Sequence, residues 1–173
     1  MDVKAFKMDG LGNDFVIIDR RKEDVSLSKE QIIKIGDRNN VGFDQIIFIE
    51  KKTNDAFPIK IFNPDGIEVG ACGNGSRCIA YLILKENNQR FIKLKAEKKI
   101  LEAEILSEKN IKINMGCPEF SEWYDIPLEN EKLNPKMLEL DFLKKEFNKG
   151  FCVNVGNPHI IFFVEDCSKI DIT

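Results

Sequence analysis

The chain has 173 residues, of which 43% are hydrophobic and 32% charged, a balance typical of a protein with an apolar core. Its formal net charge of −3 lacks the basic excess of a nucleic-acid-binding domain. No apolar run has the length of a membrane span, and the N-terminus lacks the pattern of a signal peptide, so we expect a cytoplasmic protein.

Four strands and one helix are predicted in the first part of the chain. Apolar runs and alternating apolar residues place the strands at residues 4–8, 15–18, 45–50 and 58–62. Glycine and asparagine at residues 9–13 predict a loop between the first two strands. Ser28 and Gln31 have the spacing of a capping box, which predicts a helix that starts there and ends near Asp37.

Residues 63–66, with the sequence Asn-Pro-Asp-Gly, predict a turn, because proline fixes φ and glycine accepts positive φ. A glycine-rich segment follows, and its end opens a helix that we predict over residues 76–86. A second, shorter helix is predicted near residues 138–147. The remaining strands are predicted at residues 91–96, 100–106, 110–115, 151–155 and 159–164.

The predicted strands outnumber the helices, so the fold class is mixed α and β. Residues 119–135 are richer in proline, asparagine and acidic residues, a composition that is typical of a crossover between domains. We therefore predict a first domain at residues 1–118, followed at residues 119–173 by a crossover and the start of a second domain.

The five cysteines are best interpreted as free thiols. Their number is odd and no Cys-x-x-Cys pair occurs, which argues against a disulfide framework. A single histidine also argues against a zinc site, so we expect no bound metal. Four of the thiols belong to no constellation of candidate site residues in sequence, and we expect them to be buried as small apolar side chains. These are Cys78, Cys117, Cys152 and Cys167.

Cys72 differs from the other cysteines because a glycine-rich segment, Gly73-Asn74-Gly75, and a predicted helix follow it. The unpaired N–H groups and the partial positive charge of a helix N-terminus favour a thiolate, and they also bind carboxylates. Cys72 is therefore a candidate base beside an anion site, although a buried cysteine in a tight turn would have the same pattern. The glycines lack the spacing of a dinucleotide-binding loop.

The other candidate functional residues are one imidazole and four side-chain amides. His159 follows a Gly-Asn-Pro loop, and it would adjust the acidity of Cys72 if the two side chains lay close together; a structural histidine is the alternative. The amides lie in or beside loops at strand ends, where they either form turns or recognise carboxylate and ammonium groups. They are Asn13, Gln45, Asn63 and Asn157.

Six segments, five of which contain these residues, occur in an order that is specific to one family. They are residues 10–19, 42–45, 62–66, 71–78, 114–116 and 156–159. Their sequences are GLGNDFVIID, GFDQ, FNPDG, ACGNGSRC, NMG and GNPH. The series resembles diaminopimelate epimerase, and the resemblance extends over essentially the whole chain.

The resemblance implies interconversion of LL- and meso-diaminopimelate, on the route to lysine and peptidoglycan, without pyridoxal phosphate, metal or other cofactor. Two cysteines flank the α-carbon of the substrate; one removes the proton as a thiolate and the other protonates the opposite face. Cys72 matches the first cysteine, and His159 matches a position thought to modulate both. The residues that match substrate-binding positions are Asn13, Gln45, Asn63, Gly73, Asn74 and Asn157.

The resemblance also implies two similar α/β domains, each a curled sheet around a central helix, with the site between them. The helix after Cys72 would be the central helix of the first domain. The second Cys-Gly segment of the family has no match, since Cys167 has no glycine neighbour. The Glu-Arg pair of the family has no match either. We therefore expect an incomplete second domain and a chain that does not epimerise diaminopimelate alone.

Three other interpretations remain open at the level of the sequence. One is a proline racemase-like isomerase of the same fold. Another is a hydrolase with Cys72 as nucleophile and His159 as base. The third is a non-catalytic module that binds a ligand through its polar loops. The expected partner is a small molecule rather than a nucleic acid or a membrane, and a homodimer is compatible with exposed strand edges.

Overall fold

The computed structural model describes residues 3–97, 99–107, 110–120, 137–139 and 149–170. The chain divides into two units, Met1–Gly116 and Cys117–Thr173.

In its described residues, the first unit forms one eight-stranded sheet and two helices. The strands pair in the order β1-β2-β3-β4-β6-β7-β8, and β5 pairs with β4. The β2–β3 and β4–β6 pairs are parallel, and the others are antiparallel. In chain order the elements are β1 (Ala5–Gly10), β2 (Asn13–Asp19), α1 (Lys29–Gly36), β3 (Gln45–Ile49), β4 (Phe57–Phe62), β5 (Glu68–Val69), α2 (Gly73–Asn87), β6 (Phe91–Ala96), β7 (Lys99–Ser107) and β8 (Asn110–Asn114).

The sheet curls around α2, which packs against β1, β2, β3, β6, β7 and β8. Its residues Ile79 and Ile83 are fully buried among apolar side chains of the strands. Contact with both edge strands, β1 and β8, is possible because the sheet curves around the helix axis. The predicted curled sheet around a central helix is confirmed.

A second apolar cluster covers the opposite face of β2 and β3. Val16 and Ile46 pack there with Ile32 of α1 and with Phe43 from the loop before β3. Both faces of these two strands are therefore buried, and this explains why their sequences are continuous apolar runs rather than alternating ones.

Local hydrogen bonds determine where α1 begins, and the start of α2 differs from the predicted one. In α1 the backbone N–H of Ser28 donates to Gln31 Oε1 at 2.7 Å, and the N–H of Gln31 donates to Ser28 Oγ at 3.3 Å, so the predicted capping box is confirmed. The predicted start of the next helix was wrong, because α2 begins at Gly73 and not at residue 76. Its first turn contains two glycines, whose low helix propensity hides the turn from sequence patterns.

The loop predicted at residues 9–13 is instead a two-residue hairpin turn. Gly10 pairs with Asn13, and Leu11 and Gly12 have φ of 59° and 88°. Positive φ at both central positions is the type I′ turn that suits the twist of paired strands. Strands β1 and β2 therefore extend to the turn, and Asn13 is held by sheet pairing.

The second unit contains a three-stranded antiparallel sheet in the order β11-β10-β9. Its strands are β9 (Met137–Glu139), β10 (Lys149–Asn154) and β11 (Pro158–Ile161). The helix predicted at residues 138–147 was wrong at Leu138 and Glu139, because both residues pair with β10. Its other residues, 140–147, lie outside the described residues.

Candidate active site

Three of the predicted amides lie at one edge of the sheet in the first unit. Asn13 opens β2 and Gln45 opens β3, and these strands are parallel. The antiparallel strand β4 ends at the same edge, so Asn63 follows it there. Gln45 Nε2 donates to Asn63 Oδ1 at 3.2 Å. Sheet topology alone therefore brings together residues that are up to 50 positions apart in sequence.

Cys72 is the N-cap of α2 and has an extended backbone, with φ of −148°. Its Sγ accepts a hydrogen bond from the backbone N–H of Gly75 at 3.4 Å, and its carbonyl oxygen accepts from Ser76 N at 2.9 Å. The sulfur occupies the position in which serine and asparagine cap helices, facing the positive end of the helix dipole. This sulfur is half-buried.

Close packing explains one of the glycines after Cys72. A Cβ atom on Gly75 would lie 2.5 Å from Ile47 Cδ1 and 3.5 Å from Cys72 Sγ. A side chain there would require Ile47, which is fully buried, to move. A Cβ on Gly73 would approach Met115 Sδ at 3.4 Å, which is ordinary contact, so Met115 borders the thiol segment. Met115 lies in the matched segment at residues 114–116, to which no role was assigned.

A chain of hydrogen bonds links α2 to the start of β2. Asn74 Nδ2 donates to Asn13 Oδ1 at 2.8 Å. Arg77 donates to Asn74 Oδ1 from the next turn of the helix. The structure thus joins two predicted site residues and adds Arg77, which the sequence analysis did not identify. The available signal was a cation near the N-terminus of a helix, where the helix dipole disfavours cations.

Two buried oxygen atoms at this edge are without a hydrogen-bond partner among the described residues, Gln45 Oε1 and Ser76 Oγ. Ser76 lies one helical turn after Cys72 and is fully buried. A buried polar atom without a partner costs about 1–3 kcal/mol. An unpaired buried atom needs a physical explanation, and a functional site is one of the recognised ones.

Two carboxylates brace the strand ends beside these amides. Asp14 follows Asn13, and Asp44 precedes Gln45; Arg38 donates to Asp14 Oδ2 at 2.7 Å and to Asp44 Oδ1 at 2.7 Å. Hydrogen bonds from Arg38 hold the pKa of Asp14 well below its ordinary value, although partial burial opposes this shift. This network was not predicted, because Asp14 lies 24 and 30 positions in sequence from its partners Arg38 and Asp44.

The two remaining predicted site residues lie in the second unit, between β10 and β11. Asn157 and His159 are both exposed, and His159 Nε2 lies 3.1 Å from Asn157 Oδ1. The loop is shaped by Asn154, whose Oδ1 accepts from the N–H of Gly156 at 2.8 Å. The structure therefore brings this amide and the imidazole into one hydrogen-bonded pair.

The other cysteines fall into two groups. Cys78 and Cys152 are buried, as expected, and burial raises the pKa of the Cys78 thiol to about 11. Cys117 and Cys167 are exposed, so the expectation that they are buried was wrong. Cys117 follows the end of β8 and Cys167 lies in a short 3-10 turn, and neither position faces an apolar cluster of the described residues.

Within the described residues, no group of three His, Cys, Asp or Glu side chains is arranged to hold a metal ion. None of the helices in this part of the chain is long and apolar enough to cross a membrane.

Solved structures with this fold include two epimerases. The chain matches a predicted epimerase of Pseudomonas aeruginosa with a TM-score of 0.62 at 17% identity, over 93% of this chain and 59% of the other. It matches a hydroxyproline epimerase of Agrobacterium vitis with a TM-score of 0.59 at 8% identity, over 91% and 50% of the two chains. At these identities the similarity defines the fold alone, which is the α/β fold of these epimerases.

Sequence comparison then identifies the family. The family model for diaminopimelate epimerase matches residues 5–121. The diaminopimelate epimerase of Pelagibacter ubique is 45% identical over 175 residues, which are 99% of this chain and 63% of the relative. That of Acidiphilium cryptum is 40% identical over 167 residues, 96% of this chain and 59% of the relative. The chain belongs to the diaminopimelate epimerase family, and it spans less than two thirds of the length of these relatives.

Proposed function

We propose that the chain supplies the Cys72 half of a site that epimerises LL-diaminopimelate to meso-diaminopimelate. The observation that carries this proposal is the position of Cys72 Sγ, which caps α2 next to the hydrogen-bonded amides of Asn74 and Asn13. In this arrangement the proposed base lies at the N-terminus of α2, whose first turn also carries one of the linked amides. The family to which the chain belongs supplies the identity of the substrate.

The reaction requires that a very weakly acidic α-proton be removed without a cofactor. Donors that stabilise the substrate carboxylate as charge moves toward it lower this barrier most. The backbone N–H groups of Gly73 and Asn74, in the first turn of α2, are the donors that we assign to this carboxylate. The Cys72 thiolate then takes the proton from one face of the α-carbon.

Inversion at the α-carbon needs a second acid on the opposite face. We place a second thiol for this role in the part of the relatives that the chain does not cover, which is more than a third of their length. The proton that Cys72 removes and the proton that the second thiol delivers are then different. Neither step requires a metal or an electron acceptor.

We assign the recognition of the remaining substrate groups to the other amides. Gln45 Oε1 is a buried acceptor without a partner among the described residues, and it suits an ammonium group. Asn63 and Asn157 are assigned to substrate binding, and His159 to adjusting the acidity of the thiols. The domain boundary after residue 118, the cytoplasmic location and the homodimer stay predictions.

A substrate panel tests the proposed reaction. The chain would be continued at its C-terminus with the uncovered part of the Pelagibacter ubique relative, and this hybrid would be incubated in D₂O with LL-diaminopimelate, L-proline or trans-4-hydroxy-L-proline. We expect NMR to show deuterium at the α-carbon of diaminopimelate only. The whole relative serves as the positive control. Exchange with a proline substrate, and none with diaminopimelate, would favour the proline racemase-like alternative.

A further inference from the structure

We propose that Arg77 is a positioning residue, which acts through Asn74 to hold the side-chain amide of Asn13 with its N–H groups facing a substrate carboxylate. This inference rests on the proposed function for the identity of the carboxylate. It adds a residue outside the set that the sequence motifs assign to substrate binding.

The direction of the hydrogen bonds follows from the chemistry of the guanidinium group. Arg77 has only donors, so its partner on Asn74 must be the amide oxygen, Oδ1. The amide nitrogen of Asn74 consequently points the other way, and it donates to Asn13 Oδ1 at 2.8 Å. The amide nitrogen of Asn13 is then left as the outward end of the relay. The guanidinium group of Arg77 thus sets the orientation of the Asn74 amide, and through it leaves the N–H groups of the Asn13 amide as donors.

The position of Arg77 in α2 supports a role beyond helix stability. It lies in the second turn, and the first turn, Gly73–Ser76, has no acidic residue. The helix dipole does not stabilise a cation near this end of the helix. It does stabilise an anion, and an anion bound next to Cys72 would be attracted by Arg77 as well as by the helix N-terminus.

Alkylation of Cys72 measures this effect without turnover. Iodoacetate and iodoacetamide both form a carbon–sulfur bond with the thiolate and release iodide, but only iodoacetate has a carboxylate. That carboxylate is attached to the carbon that the sulfur attacks, as the substrate carboxylate is attached to the carbon that loses its proton. The ratio of the two rate constants at Cys72, measured by mass spectrometry on the 173-residue chain, reports how well the site accepts a carboxylate.

Matched variants separate positioning from packing. We expect Arg77→Gln to lower the iodoacetate-to-iodoacetamide ratio at Cys72 by about tenfold, the size expected for a lost charge-assisted hydrogen bond. Arg77→Lys keeps a cationic donor, so it should retain most of the ratio. Lys85→Gln removes the same charge from the opposite end of α2 and should leave the ratio unchanged.

A loss of packing alone would slow or accelerate both reagents equally, and an unchanged ratio in Arg77→Gln would overturn the proposal. If substitution at this position prevents folding, NMR of the unsubstituted chain decides instead. Adding diaminopimelate should then shift the side-chain NH₂ signals of Asn13. The proposal would be overturned if diaminopimelate did not bind, or if it bound and shifted other signals but not those of Asn13. Because neither measurement needs turnover, this inference can fail while the hybrid still exchanges diaminopimelate.

Discussion

The backbone N–H of Asp14 donates to Asp44 Oδ2 at 2.9 Å, and the backbone N–H of Asp44 donates to Asp14 Oδ1 at 3.0 Å. This reciprocal pair ties the first residues of β2 to the residue before β3. Asn13 and Gln45, two amides of the proposed site, are the sequence neighbours of the pair. The two strand ends that carry the amides are therefore held together by backbone-to-side-chain hydrogen bonds.

Removing Arg38 should make the stability of the protein less dependent on pH in the acid range. Arg38 holds the pKa of Asp14 below its ordinary value of 3.8, so this carboxyl contributes stability above that value and loses it as pH falls through the folded pKa. We expect Arg38→Gln to be less stable than the unsubstituted chain at pH 7. The gap between their free energies of unfolding should narrow below about pH 4.

Urea unfolding at pH 7 and pH 3 checks this expectation. Arg90→Gln is the matched control, since Arg90 is 67% exposed and lies 3.8 Å from its carboxylate partner, Glu104. A gap that stays constant between the two pH values would show that Arg38 does not act through the ionisation of Asp14.

The capping role of Cys72 can be separated from its proposed chemistry. Serine is a better helix cap than cysteine and alanine is not a cap, so Cys72→Ser should retain stability and Cys72→Ala should lose about 1 kcal/mol. Thermal unfolding of the two variants measures the difference. Equal melting temperatures would mean that the hydrogen bond from Gly75 to the sulfur contributes nothing to α2.

Gly75 should not tolerate a methyl group. Gly75→Ala would place a Cβ 2.5 Å from Ile47 Cδ1, and Ile47 is fully buried, so we expect a loss of about 1–3 kcal/mol in unfolding free energy. Shortening the neighbour in the double variant Gly75→Ala, Ile47→Val should recover part of that loss. The comparison variant is Gly73→Ala, which meets only Met115 Sδ at 3.4 Å. If Gly73→Ala and Gly75→Ala were equally stable, close packing would not be the reason for glycine.

Local patterns in the sequence predict much of this fold and less of the site. The capping box at Ser28 and the apolar runs of β2 and β3 act over a few residues, and these elements were predicted close to their observed bounds. The start of α2 was missed, because its first turn is held by the side chain of Cys72 rather than by residues with high helix propensity. The strand β9 was missed because pairing with β10 overrides its local preference.

The sequence motifs predicted individual site residues, but they did not predict which of these residues are in contact. The pairs Asn74–Asn13 and Gln45–Asn63 span 61 and 18 positions, and no local pattern indicates which amides meet. Arg77 belongs to a matched segment, yet its role depends on a contact that only the folded chain shows.

The most direct test of the account is deuterium exchange at the α-carbon of diaminopimelate with cysteine variants of the hybrid chain. Cys72→Ala is compared with Cys78→Ala, which removes a buried thiol whose pKa is about 11 from the same helix. We predict that Cys78→Ala retains exchange and that Cys72→Ala abolishes it for at least one of the two diaminopimelate stereoisomers. Exchange at the unsubstituted rate with both isomers in Cys72→Ala would contradict the assignment of Cys72 as the base.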